Sequence, residues 1–230
     1  FENSLRTRSK NMVGSAILQG YQWQLIAVAF GSYLVDRRVP EMSLENVRVQ
    51  IGEAQEVASV AFVNGRFYAL PTDPDANHPD ALIVPTPDEL RDRLRQGLVD
   101  HLGWIIDQIG TIIGSKPRGL WLDVADRCAD MLIWLMPEND PTATPAVIQH
   151  EIDQFIRIPN SPLNHKKIET FMLTYGTQTT LFLNRASCCY WYRWDDPDAT
   201  YCSSCPRRPL EERKATFLKY MAEEQAAAED

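Results

Sequence analysis

The sequence predicts an α+β fold dominated by helices, with a β-hairpin near residues 59–70 and a small cysteine-bearing C-terminal subdomain. Three observations carry this. Apolar residues recur every three or four positions over most of the chain, and several of these stretches open on cap signals. One stretch alternates instead and holds an Asn-Gly pair. Four of the five cysteines fall within the eighteen residues from Cys188 to Cys205.

From Ser4 to Leu34, Ile17, Leu25, Ile26, Val28, Ala29, Tyr33 and Leu34 follow a helical period, with Gly14, Gly20 and Gly31 as expected breaks between one or two helices. Val47, Val49 and Ile51 then alternate. Ser59–Val63 leads through Asn64-Gly65 into Arg66–Leu70, and Asn-Gly accepts the positive φ angles of a type I′ turn, so these runs are expected to pair as a hairpin. Pro71 to Pro85 reads as a polar loop. Thr86-Pro87-Asp88-Glu89 supplies a capping side chain, a first-turn proline and acids, and Leu90, Leu94, Leu98, Leu102, Ile105 and Ile109 mark one face of a helix that Gly114 should end.

A further helix is expected from Pro117 to Pro137 on Leu120, Val124, Cys128, Leu132 and Leu135, which makes Cys128 a small buried hydrophobe. Val147–Ile156 reads as a shorter helix facing inward through Ile148, Ile152, Phe155 and Ile156. Ile168–Thr174 and Thr179–Leu183 look extended around Tyr175-Gly176. A last helix is expected from Pro209 to about Glu224, with a frayed Ala-rich tail. The resulting division is a helical and hairpin scaffold over 1–184 and a cysteine-bearing segment with the terminal helix over 185–230, integrated in one domain.

Composition narrows the function classes. The chain has 230 residues and a net charge of −8, so it can bury a full core without disulfides, and it lacks the clustered cations that grip nucleic acid or an anionic membrane. Arg6, Arg8 and Lys10 are read as a solvated basic start. No apolar run approaches the ~20 residues of a membrane span. Phe1-Glu2-Asn3-Ser4 lacks the order of a signal peptide, and the chain is read as a trimmed or processed product. No G-x-G-x-x-G or phosphate-binding loop is present, which leaves nicotinamide and flavin sites without support. His78, His101, His150 and His165 lie too far apart for a helical metal motif and are read as surface or satisfied polar residues. Asp195, Asp196 and Asp198 around Pro197 read as a solvated turn.

If the chain does redox chemistry, the electrons must be carried at Cys188-Cys189, twelve intervening residues, and Cys202-Ser203-Ser204-Cys205. Four thiolates complete either a [2Fe-2S] cluster, two per iron, or one structural zinc. The second pair has the spacing of a zinc knuckle. Adjacent cysteines in regular backbone diverge, which suits two irons better than convergence on one ion, and both readings stay open on spacing alone. Ser187, Ser203 and Ser204 offer hydrogen-bond donors near the sulfurs. Tyr190, Trp191, Tyr192, Trp194 and Tyr201 can shield the site or form the core of a small subdomain. A Cys202–Cys205 redox pair lacks the strand-to-helix context of thioredoxin-like motifs.

Arg185, Cys188-Cys189 and Cys202-Ser203-Ser204-Cys205-Pro206 together resemble the C-terminal signature of the FhuF-like ferric siderophore reductases. The resemblance rests on the last fifth of the chain. The gap between its pairs is longer here than in the family pattern, and a loop insertion within 194–200 accounts for that at small entropic cost. The resemblance implies a [2Fe-2S] cluster held by Cys188, Cys189, Cys202 and Cys205. It implies one-electron reduction of a ferric siderophore, of hydroxamate type, to release Fe2+. It further implies a cytoplasmic protein served by an electron donor such as a ferredoxin or reductase, with peripheral contact to the inner membrane open to it. A zinc-stabilised binding module and a non-catalytic iron-sulfur siderophore sensor are the alternatives.

Overall fold

The computed structural model describes residues 9–53, 56–193 and 200–229. Among them are five α-helices and seven strands, so the fold is a helix-dominated α+β arrangement. The termini of the sequence and residues 194–199, which include Trp194, Asp195, Asp196 and Asp198, lie outside the described residues, as do Arg6 and Arg8.

α1 spans Lys10–Gly31, capped by the Ser9 hydroxyl, which accepts the Met12 N–H. It is one helix, and neither Gly14 nor Gly20 breaks it. Gly14 is required by a close approach: a Cβ there would lie 2.6 Å from Cβ of Ser115. Ser32–Asp36 continues α1 as a π-helical turn, closed by Arg37 at φ 55°. α2 spans Pro87–Ile113 with its first turn capped by Thr86, and Gly114 ends it in the left-handed region at φ 73°. α3 spans Pro117–Asn139 and passes through Pro137, where a helix end was expected. A proline this near the C-terminus forfeits only one intrahelical bond, and the Asp140 N–H closes the helix on Met136 O at 2.8 Å. α4 spans Pro145–Ile156 under a Thr144 cap. α5 spans Leu210–Glu229, so the Ala-rich tail extends the helix past Glu224.

Helices α1 to α4 share one core. α1 contributes Leu18, Leu25, Ile26, Ala29 and Phe30; α2 contributes Leu90, Leu94, Leu98, Leu102 and Ile106. Ile106, rather than Ile105, continues the buried stripe of α2. α3 adds Leu120, Val124, Cys128 and Leu132, and α4 adds Ile148, Ile152, Phe155 and Ile156. The Phe30 and Phe155 rings meet at 5.2 Å. Each such burial stabilises the fold by about 1.5–3 kcal/mol relative to exposure, so the cluster holds the helices as one body. Cys128 is fully buried here, as its place on the stripe predicts, and burial pushes its thiol pKa up.

The strands correct one expectation. Strands do flank Asn64-Gly65, but the hairpin near residues 59–70 does not form. β1 spans Arg38–Pro40, β2 Val47–Ile51, β3 Val57–Phe62, β4 Phe67–Ala69 and β5 Ala81–Ile83. β3 pairs antiparallel with β2, whereas β4 lies between β1, antiparallel, and β5, parallel. Neither Asn64 nor Gly65 takes a positive φ, so there is no type I′ turn. Asn64 instead donates its N–H to the Asn46 side chain at 2.8 Å and accepts the Arg66 N–H at 3.1 Å, which sends the two runs to different sheets. β5 also falls within a segment expected to be loop. β6 (Glu169–Tyr175) and β7 (Gln178–Asn184) form the true C-terminal hairpin, which packs against α3, α4 and α5 and carries the chain to Arg185.

Candidate metal centre

Two segments build the site: Arg185–Trp191, leaving β7, and the turn Cys202–Cys205 ahead of α5. The first is anchored by two acids on α3. Asp126 is buried and accepts the Ala186 N–H at 3.0 and 3.1 Å on its two oxygens and the Ser187 N–H at 2.6 Å. Asp123 accepts the Ser187 hydroxyl at 2.8 Å and the Gln22 amide of α1 at 3.0 Å. The Arg185 guanidinium lies 3.6 Å from Asp123 and 4.0 Å from Asp126. Burial outweighs these partners at Asp126 and pushes its carboxyl pKa up to about 6. Arg185, which the sequence presents only as part of the cysteine signature, is an interior ion-pair partner. The Ser187 hydroxyl is committed to Asp123 instead of a sulfur.

Backbone geometry then brings amides onto the adjacent thiols. Tyr190 sits at φ 58°, a conformation that costs a non-glycine residue about 1–3 kcal/mol. It turns the Tyr190 N–H onto the Cys188 sulfur at 3.4 Å, and the Trp191 N–H reaches Cys189. The second segment is a pair of turns in which Cys205 N–H donates to Cys202 O at 3.1 Å and Arg208 N–H to Cys205 O at 3.0 Å. The Arg208 side chain braces them, donating to Cys202 O at 3.1 Å and Tyr201 O at 2.7 Å. Tyr192 and Tyr201 pack at 4.8 Å between ring centres, with Arg207 over Tyr192, while Trp191 is exposed.

The fold thus brings Cys188 and Cys189 to Cys202 and Cys205. The Cys202 thiol hydrogen-bonds Cys189, which holds Cys189 below the usual thiol range, at about 6, and raises Cys202 in turn. The Trp191 N–H and the Arg185 charge also favour the Cys189 thiolate. Burial raises the Cys188 thiol, against hydrogen bonds from Tyr190 and Arg207. Cys205 is almost fully buried.

Among the described residues, no three His, Cys, Asp or Glu side chains converge as one metal ion requires. Cys189 pairs with Cys202 across the two segments. Two cations, the largely enclosed Arg185 and the buried Arg213, match the negative charge of a tetrathiolate cluster. Among the described residues Arg185 Nε finds no hydrogen-bond partner and its charge acts on Cys189; Arg213 at the start of α5, whose Nε and Nη1 likewise find none there, is acted on by Cys205. The donor set therefore fits a [2Fe-2S] group.

Of the histidines, His78 and His150 are exposed. His101 is buried, donating Nδ1–H to Met42 O at 2.7 Å and accepting from the Tyr21 hydroxyl, as a satisfied polar residue does. Sequence reasoning missed Asp123, Asp126 and Arg213, and read Tyr190 as a ring beside the sulfurs and not as the left-handed turn that aims an amide at one. The acids left a signal, since two carboxylates three residues apart interrupt the buried face between Leu120 and Cys128. The left-handed Tyr190 left none.

Residues 15–152 match the family described as Ferric iron reductase FhuF-like transporter, and residues 185–207, which span all four clustered cysteines, match the FhuF 2Fe-2S C-terminal domain. The chain belongs to the FhuF-like ferric iron reductases, and its cofactor is a [2Fe-2S] cluster. No curated protein and no solved structure matches it. Among the described residues no helix is long and apolar enough to cross a membrane.

Proposed function

We propose that Cys188, Cys189, Cys202 and Cys205 hold the [2Fe-2S] cluster and that the protein reduces the Fe3+ of a siderophore, of the hydroxamate-bearing kind, by one electron to release Fe2+. The observation that carries this is the assembly of the Cys188-Cys189 segment and the Cys202–Cys205 turn, linked by the Cys189–Cys202 hydrogen bond and set against Arg185 and the buried Arg213.

Hard oxygen donors bind Fe3+ tightly and the larger, less charged Fe2+ weakly, so one electron opens the chelate. When bound, the cluster supplies that electron, and each ~59 mV of potential difference shifts the equilibrium tenfold. The chain's own groups do the rest. Asp126 and Asp123 fix the Cys188-Cys189 segment, Arg208 fixes the second turn, and the Tyr190 and Trp191 amides with Arg185 and Arg213 offset thiolate charge. No general base or nucleophile is needed.

Residues 1–184 serve in this reading as scaffold and chelate platform and 185–230 as the cluster segment, joined through the buried Asp123–Ser187 contact. Free thiols kept for iron belong in a reducing compartment, the cytoplasm, where a ferredoxin or reductase supplies electrons and the protein can associate peripherally with the inner membrane. Anaerobic purification should give a red-brown protein with iron and sulfide in equal amount. Its reduced spectrum should give way to the more strongly absorbing oxidised one on adding a ferric hydroxamate, as Fe2+ appears in a ferrous trap. A colourless protein with stoichiometric zinc overturns the reading, and so does a cluster that binds the chelate without being oxidised by it.

A further inference from the structure

Cys188 forms part of the wall of a cavity of about 510 Å3 that reaches the start of α3 and is bounded also by Tyr190, Lys116, Arg118, His165 and Lys167. Its volume suits a small chelate. Among the described residues its lining contains three permanent cations and no aspartate or glutamate, on a chain whose net charge is −8. Cations collected in the mouth of a concave site focus their field into it.

His165 registers that field. Its pKa is lowered, first by partial burial and then by Arg118, Lys167, Lys166 and Arg157. The Lys167 N–H faces His165 Nδ1 at 3.2 Å and Arg118 Nη2 faces Nε2 at 3.3 Å, so donors meet both ring nitrogens. A neutral imidazole accepts at only one of them, and an anionic oxygen would satisfy the donor left over. The carboxylates nearest the Cys188 wall, Asp123 and Asp126, lie behind Ser187 and are engaged by Ser187, Ala186, Gln22 and Arg185. They take no share in the lining.

We propose that this cavity binds the ferric siderophore beside Cys188 and selects chelates of net negative charge, in which carboxylate or α-hydroxycarboxylate oxygens accompany the hydroxamates. The proposal rests on the ferric siderophore reading above and narrows it. In a tris-hydroxamate complex the ligand charges cancel those of Fe3+, so such a complex gains little from Lys116, Arg118 and Lys167. An added carboxylate gains a partner for each. An acidic electron-donor protein is the other anion to consider, but a stable protein interface takes about 800 Å2 from each partner, and the cations here line a cavity of chelate size.

The test uses the oxidised holoprotein and redox-inert Ga3+ complexes of three chelators: a cationic ferrioxamine, a neutral ferrichrome and an anionic citrate–hydroxamate siderophore. Binding is read by calorimetry. The anionic complex should bind about tenfold or more tighter than the neutral one, and the difference should shrink as salt shortens the Debye length. Lys116→Glu with Lys167→Glu should weaken the anionic complex about tenfold or more and leave the neutral one unchanged, with the visible spectrum intact, while Lys116→Arg keeps tight binding. Equal affinities across the series, or charge reversal that slows only electron uptake from an acidic donor, overturn the charge selection and leave the siderophore reading standing. Failure of all three complexes to bind, together with failure of the iron forms to oxidise the reduced protein, overturns both.

Discussion

Replacing Asp126 with alanine tests whether the buried acid on α3 holds the cluster segment in place. The substitution removes the acceptor of two buried amides, Ala186 at 3.0 Å and Ser187 at 2.6 Å, and one of the two carboxylates facing Arg185. Hydrogen bonds to a charged group contribute about 1.5–3 kcal/mol each. Part of that is offset at neutral pH, because burial already opposes ionisation of this carboxyl and lifts it to about 6. A net loss of about 3 kcal/mol follows, which with an m-value of about 3 kcal/mol/M lowers the urea midpoint by about 1 M. Asp126→Asn keeps one acceptor but turns an N–H2 toward a backbone donor, and should lose about half as much. The wild type should also lose stability as pH rises from 4 to 6, because its folded carboxyl holds a proton that the unfolded one has released. The Asn variant should lack that slope. Paired urea titrations at several pH values, with visible absorbance recorded in the same samples, measure all of this. A loss under about 1 kcal/mol for the alanine variant, or an unchanged pH slope in the asparagine variant, would refute the reasoning.

Other outcomes follow from the same structure. Cys128→Ala should keep the visible spectrum and cost about 1–2 kcal/mol for its small void, whereas Cys205→Ser should abolish the spectrum; absorbance and denaturation on the two variants decide this. His101 is held neutral by burial and its pKa is lowered, so its contribution to stability is present above its unfolded value of 6.5 and falls away as pH drops below it. Melting temperatures of wild type and His101→Gln should therefore converge on acidification. Phe155→Ala removes a ring packed at 5.2 Å and a tilt of 55° on Phe30 and should cost about 3–5 kcal/mol in chemical denaturation. Stripping the iron with a chelator should leave the far-ultraviolet helix signal largely intact, because the core of α1 to α4 contains none of the clustered cysteines.

The sequence by itself determined the helical stripes, their caps and the group of thiols that carries the chemistry. Helical period, proline and threonine at helix starts, and cysteine spacing are local properties, and local interactions decide them. This is why α2 begins at Pro87 and stops at Gly114 as predicted, and why Cys128 is a core thiol. Pairing and partnership are long-range, and only the tertiary structure decided them. Ser59–Val63 and Arg66–Leu70 are strand-like in isolation, yet the Asn46 side chain captures the Asn64 amide and sends the two runs to separate sheets. Ser187 reads in sequence as a donor near the sulfurs and Arg185 as part of the cysteine signature, and both turn to Asp123 and Asp126, about sixty residues away along the chain, only because β7 delivers them there. The basic cavity beside Cys188 is likewise invisible in a chain of net charge −8: Lys116, Arg118 and Lys167 act together because α3 starts where the segment before β6 passes it.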